Sequence, residues 1–384
     1  MTAFTPSAAP RQISQGIVIQ STNQPETDAA RQTVNAELQA LGLTEDTEGS
    51  GCTAAHGELH WVLKKERIAD WMPDLDTFDV CQRAGLQSLS NTADLTREIW
   101  LTMLASPIAW VFPSAKELIS AVRIRQFIVQ AARKTALNFH TSEAERPDDC
   151  WTYQEETGFT VLPGSPLIES LIKATQPGST GMGYAFSCYR ATEYILLLAI
   201  AQEAQISNPA LLAALQTQWE TRAVMSGRFH EVFLRETGSL EGPLPISYYT
   251  PGDRVWFRNP DDASSDVAGF EGSWVFYLGN GQFSNFWQRN KPFTLASKCV
   301  DVYQWRNGTK PDANGELQMN EELVEQLVDK TMTQAAELER ITQRMFRYRD
   351  PQGIYAQGGC MDTTRESPRF VRPETTDIVL PGFY

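Results

Sequence analysis

The sequence predicts an α+β fold: a buried apolar helix packed on a small antiparallel sheet, with helical extensions on either side. Three observations carry this expectation. Residues 187–204 begin polar at Ser187 and Cys188, then run densely apolar through Ile195, Leu196, Leu197 and Leu198, as a central helix does. Residues 254–258 alternate polar and apolar side chains, and residues 273–278 form a β-rich run. Gly279-Asn280-Gly281 then separates that run from residues 282–287, a strong hairpin signal.

Residues 1–55 are rich in Thr, Ser, Gln, Pro and Ala and are expected to form a mobile N-terminal segment. Within it, residues 15–20 have the character of a short strand and residues 29–43 moderate helical character. Residues 56–112 are expected to form a helical extension, clearest at 95–104 and stopped by Pro113. The expected core spans residues 113–300. Ser114-Ala115-Lys116-Glu117 forms a capping box, and Ala121, Ile124, Ile128 and Ala131 make a helical stripe running to about Phe139. Residues 151–162 suggest a strand or hairpin. Ser165 and Pro166 open a helix over 167–174, and residues 177–183 form a loop. Pro251-Gly252-Asp253 is a turn closed by the aspartate side chain. Residues 301–384 form a C-terminal helical extension and tail. In it Asn320 caps one long helix with Val324, Leu327, Thr331, Leu338, Ile341 and Met345 at helical spacing.

Composition excludes some functions. The formal net charge of −14 argues against nucleic acid, which needs a basic stripe, and against an anionic membrane surface. No apolar run approaches the roughly 18 residues needed to cross a bilayer. The N-terminus lacks a basic region followed by an apolar stretch, so a cytoplasmic location is the default expectation. The six cysteines form no CxxC pair and stand at no metal-ligand spacing with the four histidines.

Cys188 stands out by position. A helix N-terminus supplies unpaired amides and a partial positive charge, which lower a thiol's pKa and can hold an acyl-transfer oxyanion. Papain-like and cell-wall-peptidase-like hydrolases share this logic, with the base on a neighbouring strand. A lone cysteine is more commonly a small apolar core residue, and position alone leaves both readings open.

Further residues bear on the choice. Tyr184-Ala185-Phe186-Ser187-Cys188 resembles the Tyr-Ala-Phe-Glu-Cys stretch of the Bacillus-type protein-glutamine γ-glutamyltransferases. Pro251 to Pro260, followed by Glu271-Gly272-Ser273-Trp274-Val275-Phe276-Tyr277-Leu278-Gly279, resembles that family's second conserved block. The Pro-Gly-Asp and Tyr-Leu-Gly-Asn-Gly pieces also recur in NlpC/P60-type peptidases. The likeness covers a little under half of the chain. It implies a papain-like (NlpC/P60-like) core in which the Cys188 thiolate attacks a protein glutamine and forms a thioester. A lysine amine then resolves that thioester into an isopeptide crosslink, or water resolves it to glutamate. It implies no metal, no cofactor, and protein substrates with accessible glutamine and lysine.

The sequence departs from the family at the acids. Ser187 stands where the family has a glutamate before the cysteine. Ser273 stands where it has an acid before the Tyr-Leu-Gly strand, and Asn285-Phe286 where it has a histidine. Serine is no general base at neutral pH. Glu271, two residues before Ser273 and on the same strand face, is the candidate substitute, and His230 a weaker one. Asn285 is a candidate to orient a base or donate to an oxyanion. Three functions therefore remain open: a transglutaminase or glutamine deamidase, a related cysteine peptidase or amidase, and a catalytically impaired relative that binds proteins.

Overall fold

The computed structural model describes residues 14–53, 57–139, 144–178, 183–224, 228–352 and 358–380. Residues 1–13 of the expected mobile segment and 179–182 of the expected loop lie outside them. The fold is α+β, with two principal sheets and a helical layer through which one apolar core is continuous from Ile17 to Ile378.

The N-terminal expectation needs correction. From Ile17 onward the segment expected to be mobile is built into the core. Ile17–Gln20 pairs antiparallel with Glu58–Leu63 and parallel with Trp110–Phe112, and Thr47–Thr53 completes a four-stranded sheet. Asn23 caps the Gln24–Ala40 helix by accepting from the Glu26 amide at 3.0 Å. That helix buries Ala30, Val34 and Leu38, one apolar residue per turn. Their polar neighbours mask this stripe in the composition. Residues 56–112 likewise hold two strands beside their helices, because Leu59, Trp61 and Leu63 alternate inward with period two.

The Ala115–Lys134 helix packs along the Cys188–Ser207 helix. Ser114 Oγ accepts from the Glu117 amide at 3.1 Å, so half of the expected capping box forms. Glu117 does not reach back. It accepts instead from the amides of Val371 and Arg372 at 3.1 and 3.3 Å, and from the Thr375 hydroxyl, which pins the C-terminal segment to the helix start. The helix also ends earlier than its stripe suggested. Asn138–Phe139 pairs in parallel with Ala185–Phe186, which aims the chain into Ser187 and Cys188. The Trp151–Gln154 and Gly158–Val161 strands form the expected hairpin, and Trp151 stacks on Tyr194 in the core, with ring centroids 5.2 Å apart.

The second sheet is antiparallel. Its order is Gln282–Phe283, Gly272–Gly279, Arg254–Arg258, Arg365–Pro368, Leu234–Thr237. The C-terminal region expected as a tail thus inserts a strand between two others. The single helix expected after Asn320 is two, Glu321–Met332 and Ala335–Met345, interrupted at Thr333 and Gln334. The Leu295–Gly308 helix escaped the periodicity reading because it is buried on several sides, Lys298 and Gln304 included. Asp253 closes its turn by accepting from the Thr250 amide at 2.8 Å. It also receives buried Arg125 at 2.8 Å, which ties the turn to the Ala115–Lys134 helix.

Asn280 and Gly281 both have positive φ, as a two-residue hairpin turn requires. Within this turn Gly279 is the tightest position: its φ is +87°, and an added Cβ would lie 2.4 Å from the carboxylate of buried Glu98. Gly279→Ala is therefore expected to destabilise the fold by about 3 kcal/mol in denaturant unfolding. Gly85→Ala has a positive φ but open space around it, and should lose only about 1 kcal/mol. Equal losses at the two sites would show that the Glu98 contact is unimportant.

Candidate functional site

Cys188 is the first residue of its helix, and Ser187 is the N-cap, its hydroxyl accepting from the Arg190 amide at 3.3 Å. Ser187 therefore shapes the helix start, and its side chain is spent on the cap. From Ala191 to Ala201 the helix is buried and mostly apolar, packed against the Gly272–Gly279 strand as well as the Ala115–Lys134 helix. This packing fixes the thiol opposite Ser273 and Trp274.

The half-buried thiol opens into a cleft of about 650 Å³. Ser273, Asn285, Trp287 and Lys298 line it with Cys188, and the Glu321–Met332 helix forms an outer wall bearing Glu321, Glu325 and Asp329. Burial pushes the thiol pKa up. Opposing it are the backbone amides of Trp274 and Tyr189, which donate toward the sulfur, and the positive charges of Lys298 and Arg254. Backbone amides beside a thiol are also suited to holding the oxyanion of an acyl-transfer step.

The structure separates the proposed partners of Cys188. Ser273 is buried at the cleft wall and carries no carboxylate. Asn285 lines the cleft, but its amide is used to shape the following turn: Nδ2 donates to the Lys291 carbonyl at 3.0 Å, and Oδ1 accepts from the Trp287 and Gln288 amides. Glu271 is exposed, precedes the strand, and accepts from the Gly269 amide at 3.2 Å. It is not among the residues lining the cleft.

His230 lies in a different cavity, bounded by Tyr189, Arg254 and Trp274. Its Nδ1 is 3.0 Å from Glu366, whose carboxylate raises the histidine pKa against the opposing effect of burial. Burial alone would raise the Glu366 pKa, but His230 and Arg254 outweigh it and hold that carboxyl below its ordinary range. His230, Glu236 and Glu366 are the candidate cation-binding group among the described residues, their ligand atoms within 4.8 Å of one another. The Arg254 guanidinium, 2.5 Å from Glu366, already supplies positive charge there.

Sequence reasoning missed Lys298. It is 4 % exposed, lines the Cys188 cleft, and donates to Asp301 at 2.8 Å. A lysine among Leu295, Cys299, Val300, Val302, Tyr303 and Trp305 was the available signal. Arg254 and Glu366 were also missed, because their partners come from distant segments.

Glu193 lies further along the nucleophile helix, fully buried, with Arg190 donating to it at 2.6 Å. Burial raises its pKa to about 7, against the pull of Arg190 and Arg254. The folded state therefore holds this proton where the unfolded chain has released it, so Glu193 makes stability fall as pH rises from about 4.5 to about 7. Glu193→Gln should remove that slope and leave the variant relatively more stable above neutrality, read as melting temperature against pH. Parallel curves for the two proteins would refute the assignment.

Comparison with known proteins fits the geometry. The family model described as protein-glutamine gamma-glutamyltransferase matches residues 75–360 of the 384. A solved transglutaminase from Geobacillus stearothermophilus, without its C-terminal extension, is 19 % identical. The match covers 56 % of this chain and 98 % of that one, with a TM-score of 0.38, a likeness too distant to carry an argument. No curated protein matches. The family match extends on both sides of the expected 113–300 core and takes in the Leu295–Gly308 helix, the cleft wall and most of the region expected as a C-terminal extension. With that match over most of its length, the chain belongs to the protein-glutamine gamma-glutamyltransferase family.

Proposed function

We propose that this protein transfers the γ-acyl group of protein glutamine through a thioester on Cys188. The observation that carries the reading is the thiol itself, at the first turn of a buried helix, open to a cleft and facing the Tyr189 and Trp274 amides. The helix packed against an antiparallel sheet supports reading the core as papain-like.

In the first half-reaction the thiolate attacks the carboxamide carbon. The oxyanion that forms is held by the two amides, and ammonia leaves with a proton to give the thioester. In the second, a lysine amine attacks the thioester carbonyl and the thiolate departs, leaving an isopeptide bond. Water in place of the amine leaves glutamate. The amine loses its proton to solvent or to a neighbouring base during attack. Neither half-reaction requires a metal or a cofactor. The acidic wall of the cleft, with Glu321, Glu325 and Asp329, is compatible with a cationic acceptor approaching Cys188.

A second reading, protein binding by a catalytically impaired family member, is favoured by one specific observation. Neither Ser187 nor Ser273 can take a proton from the thiol, and Glu271 turns away from it. The two readings differ in a direct assay.

Wild-type protein should incorporate a labelled primary amine into a glutamine-rich acceptor protein, and Cys188→Ala should lose at least 1,000-fold, about 4 kcal/mol of transition-state stabilisation. Incorporation by the Cys188→Ala variant at the wild-type rate would eliminate the thioester reading. Inactivity of the wild type together with retained binding of the acceptor would favour the second.

A further inference from the structure

Lys298 is an unusual residue to find where it is. Its ammonium is almost completely withdrawn from solvent, yet the described residues offer it one hydrogen-bond acceptor, Asp301, out of the three an ammonium can use. The rings of Phe293 and Trp305, 4.3 and 5.6 Å away, hold it by cation–π attraction and take no conventional hydrogen bond. Burying a charge this way is unfavourable unless something nearby uses it. Lys298 and Cys188 border the same cleft.

We propose that Lys298, buried in the cleft wall and oriented by Asp301, is the counter-charge that stabilises the Cys188 thiolate. It thereby replaces, by electrostatics, the proton acceptor that Ser187 and Ser273 cannot be. The proposal rests on the Cys188 reading above and adds the residue that makes the nucleophile available. The thiol's proton passes to solvent through the open cleft. Asp301 is a positioning residue: it holds the ammonium on the cleft side of the Leu295–Gly308 helix, three residues along the same helix face.

The other charges near the thiol are accounted for. Arg254 is the second cation acting on it, but its guanidinium is committed to Glu366 at 2.5 Å and Thr192 at 2.8 Å, on the far side of Tyr189 and Trp274. Glu193 and Arg190, on the thiol's own helix, pair with each other. From the strand side come Ser273, which is neutral, and the Trp274 amide. Across the cleft, Glu321 adjoins Asp301, whose charge raises its pKa beyond the larger effect of burial. Of the two lysines lining the cleft, Lys291 is exposed and paired with Glu325 and Asp329, which leaves Lys298 as the buried cation that shares the cleft with the thiol.

The test is the pH dependence of Cys188 alkylation by iodoacetamide, read by peptide mass spectrometry on the full-length protein, which needs no acyl-transfer activity. Lys298→Met should move the midpoint up by about one pH unit and slow alkylation near neutrality about tenfold. Lys298→Arg, which keeps the charge, should stay within about 0.3 units of wild type. The double variant Lys298→Met with Asp301→Asn also removes the opposing anion, so its midpoint should rise in the same direction by a smaller amount, and it serves if the single variant does not fold. A midpoint unchanged in a folded Lys298→Met or double variant would overturn the proposal. Amine incorporation measured in parallel separates the two claims. An upward shift without any wild-type incorporation would retain the counter-charge and reject the acyl-transfer reading.

Discussion

The buried Arg254–Glu366 pair is the constraint on which the site depends. Arg254 sits on a strand of the second sheet, Glu366 on the strand that the C-terminal region inserts beside it, and the same guanidinium donates to Thr192 on the nucleophile helix. Tyr189 and Trp274 cover it with their ring faces at 4.6 and 3.7 Å. One cation thus joins helix, sheet and C-terminal strand directly behind Cys188. Both partners are nearly solvent-free, so removing either leaves an uncompensated buried charge, a loss of roughly 3–5 kcal/mol. Replacing the pair by apolar residues would be a milder change in stability, but it would also release the register of Trp274, whose amide faces the thiol.

That arrangement explains the division of charge in the region. The sheet side gathers Arg254, Glu366 and His230 into a closed network outside the thiol's cleft. The cleft side holds Lys298 and Asp301, with an acidic helix beyond. The two sets are separated by Tyr189 and Trp274, whose rings meet edge to face at 5.5 Å. A histidine and a carboxylate are therefore present in the domain without serving the cysteine. The groups that act on Cys188 are amide dipoles, Lys298 in the cleft and Arg254 from behind Tyr189 and Trp274. Proton acceptance is the function this geometry provides least well, and stabilisation of negative charge the one it provides best.

Much of the architecture was legible where the pattern was local. The nucleophile helix, the Asn280-Gly281 turn, the 151–162 hairpin and the Arg254–Arg258 strand each follow from periodicity or turn chemistry within about ten residues. Segments whose stability is decided at a distance were misread. The Gln24–Ala40 helix looks like a polar tail until its three buried apolar residues meet the neighbouring sheet. Arg365–Pro368, with its single proline at the end and little β-branching, becomes a strand because Leu234–Thr237 and Arg254–Arg258 flank it with open backbone groups. Glu117 was expected to complete its own cap and instead holds residues more than 250 positions away.

For the site itself, the sequence by itself determined that a cysteine opens the helix and that serines stand at 187 and 273, because these are statements about which residue occupies a place beside a helix start or a strand. It could not determine which charges reach the thiol. Glu271 is two positions from Ser273, yet it is exposed, accepts from the Gly269 amide and stays outside the cleft. Lys298 is 110 positions from Cys188 in sequence and shares its cleft. Charge acts through space, and a chain folded from segments this far apart sets those distances only when its core closes.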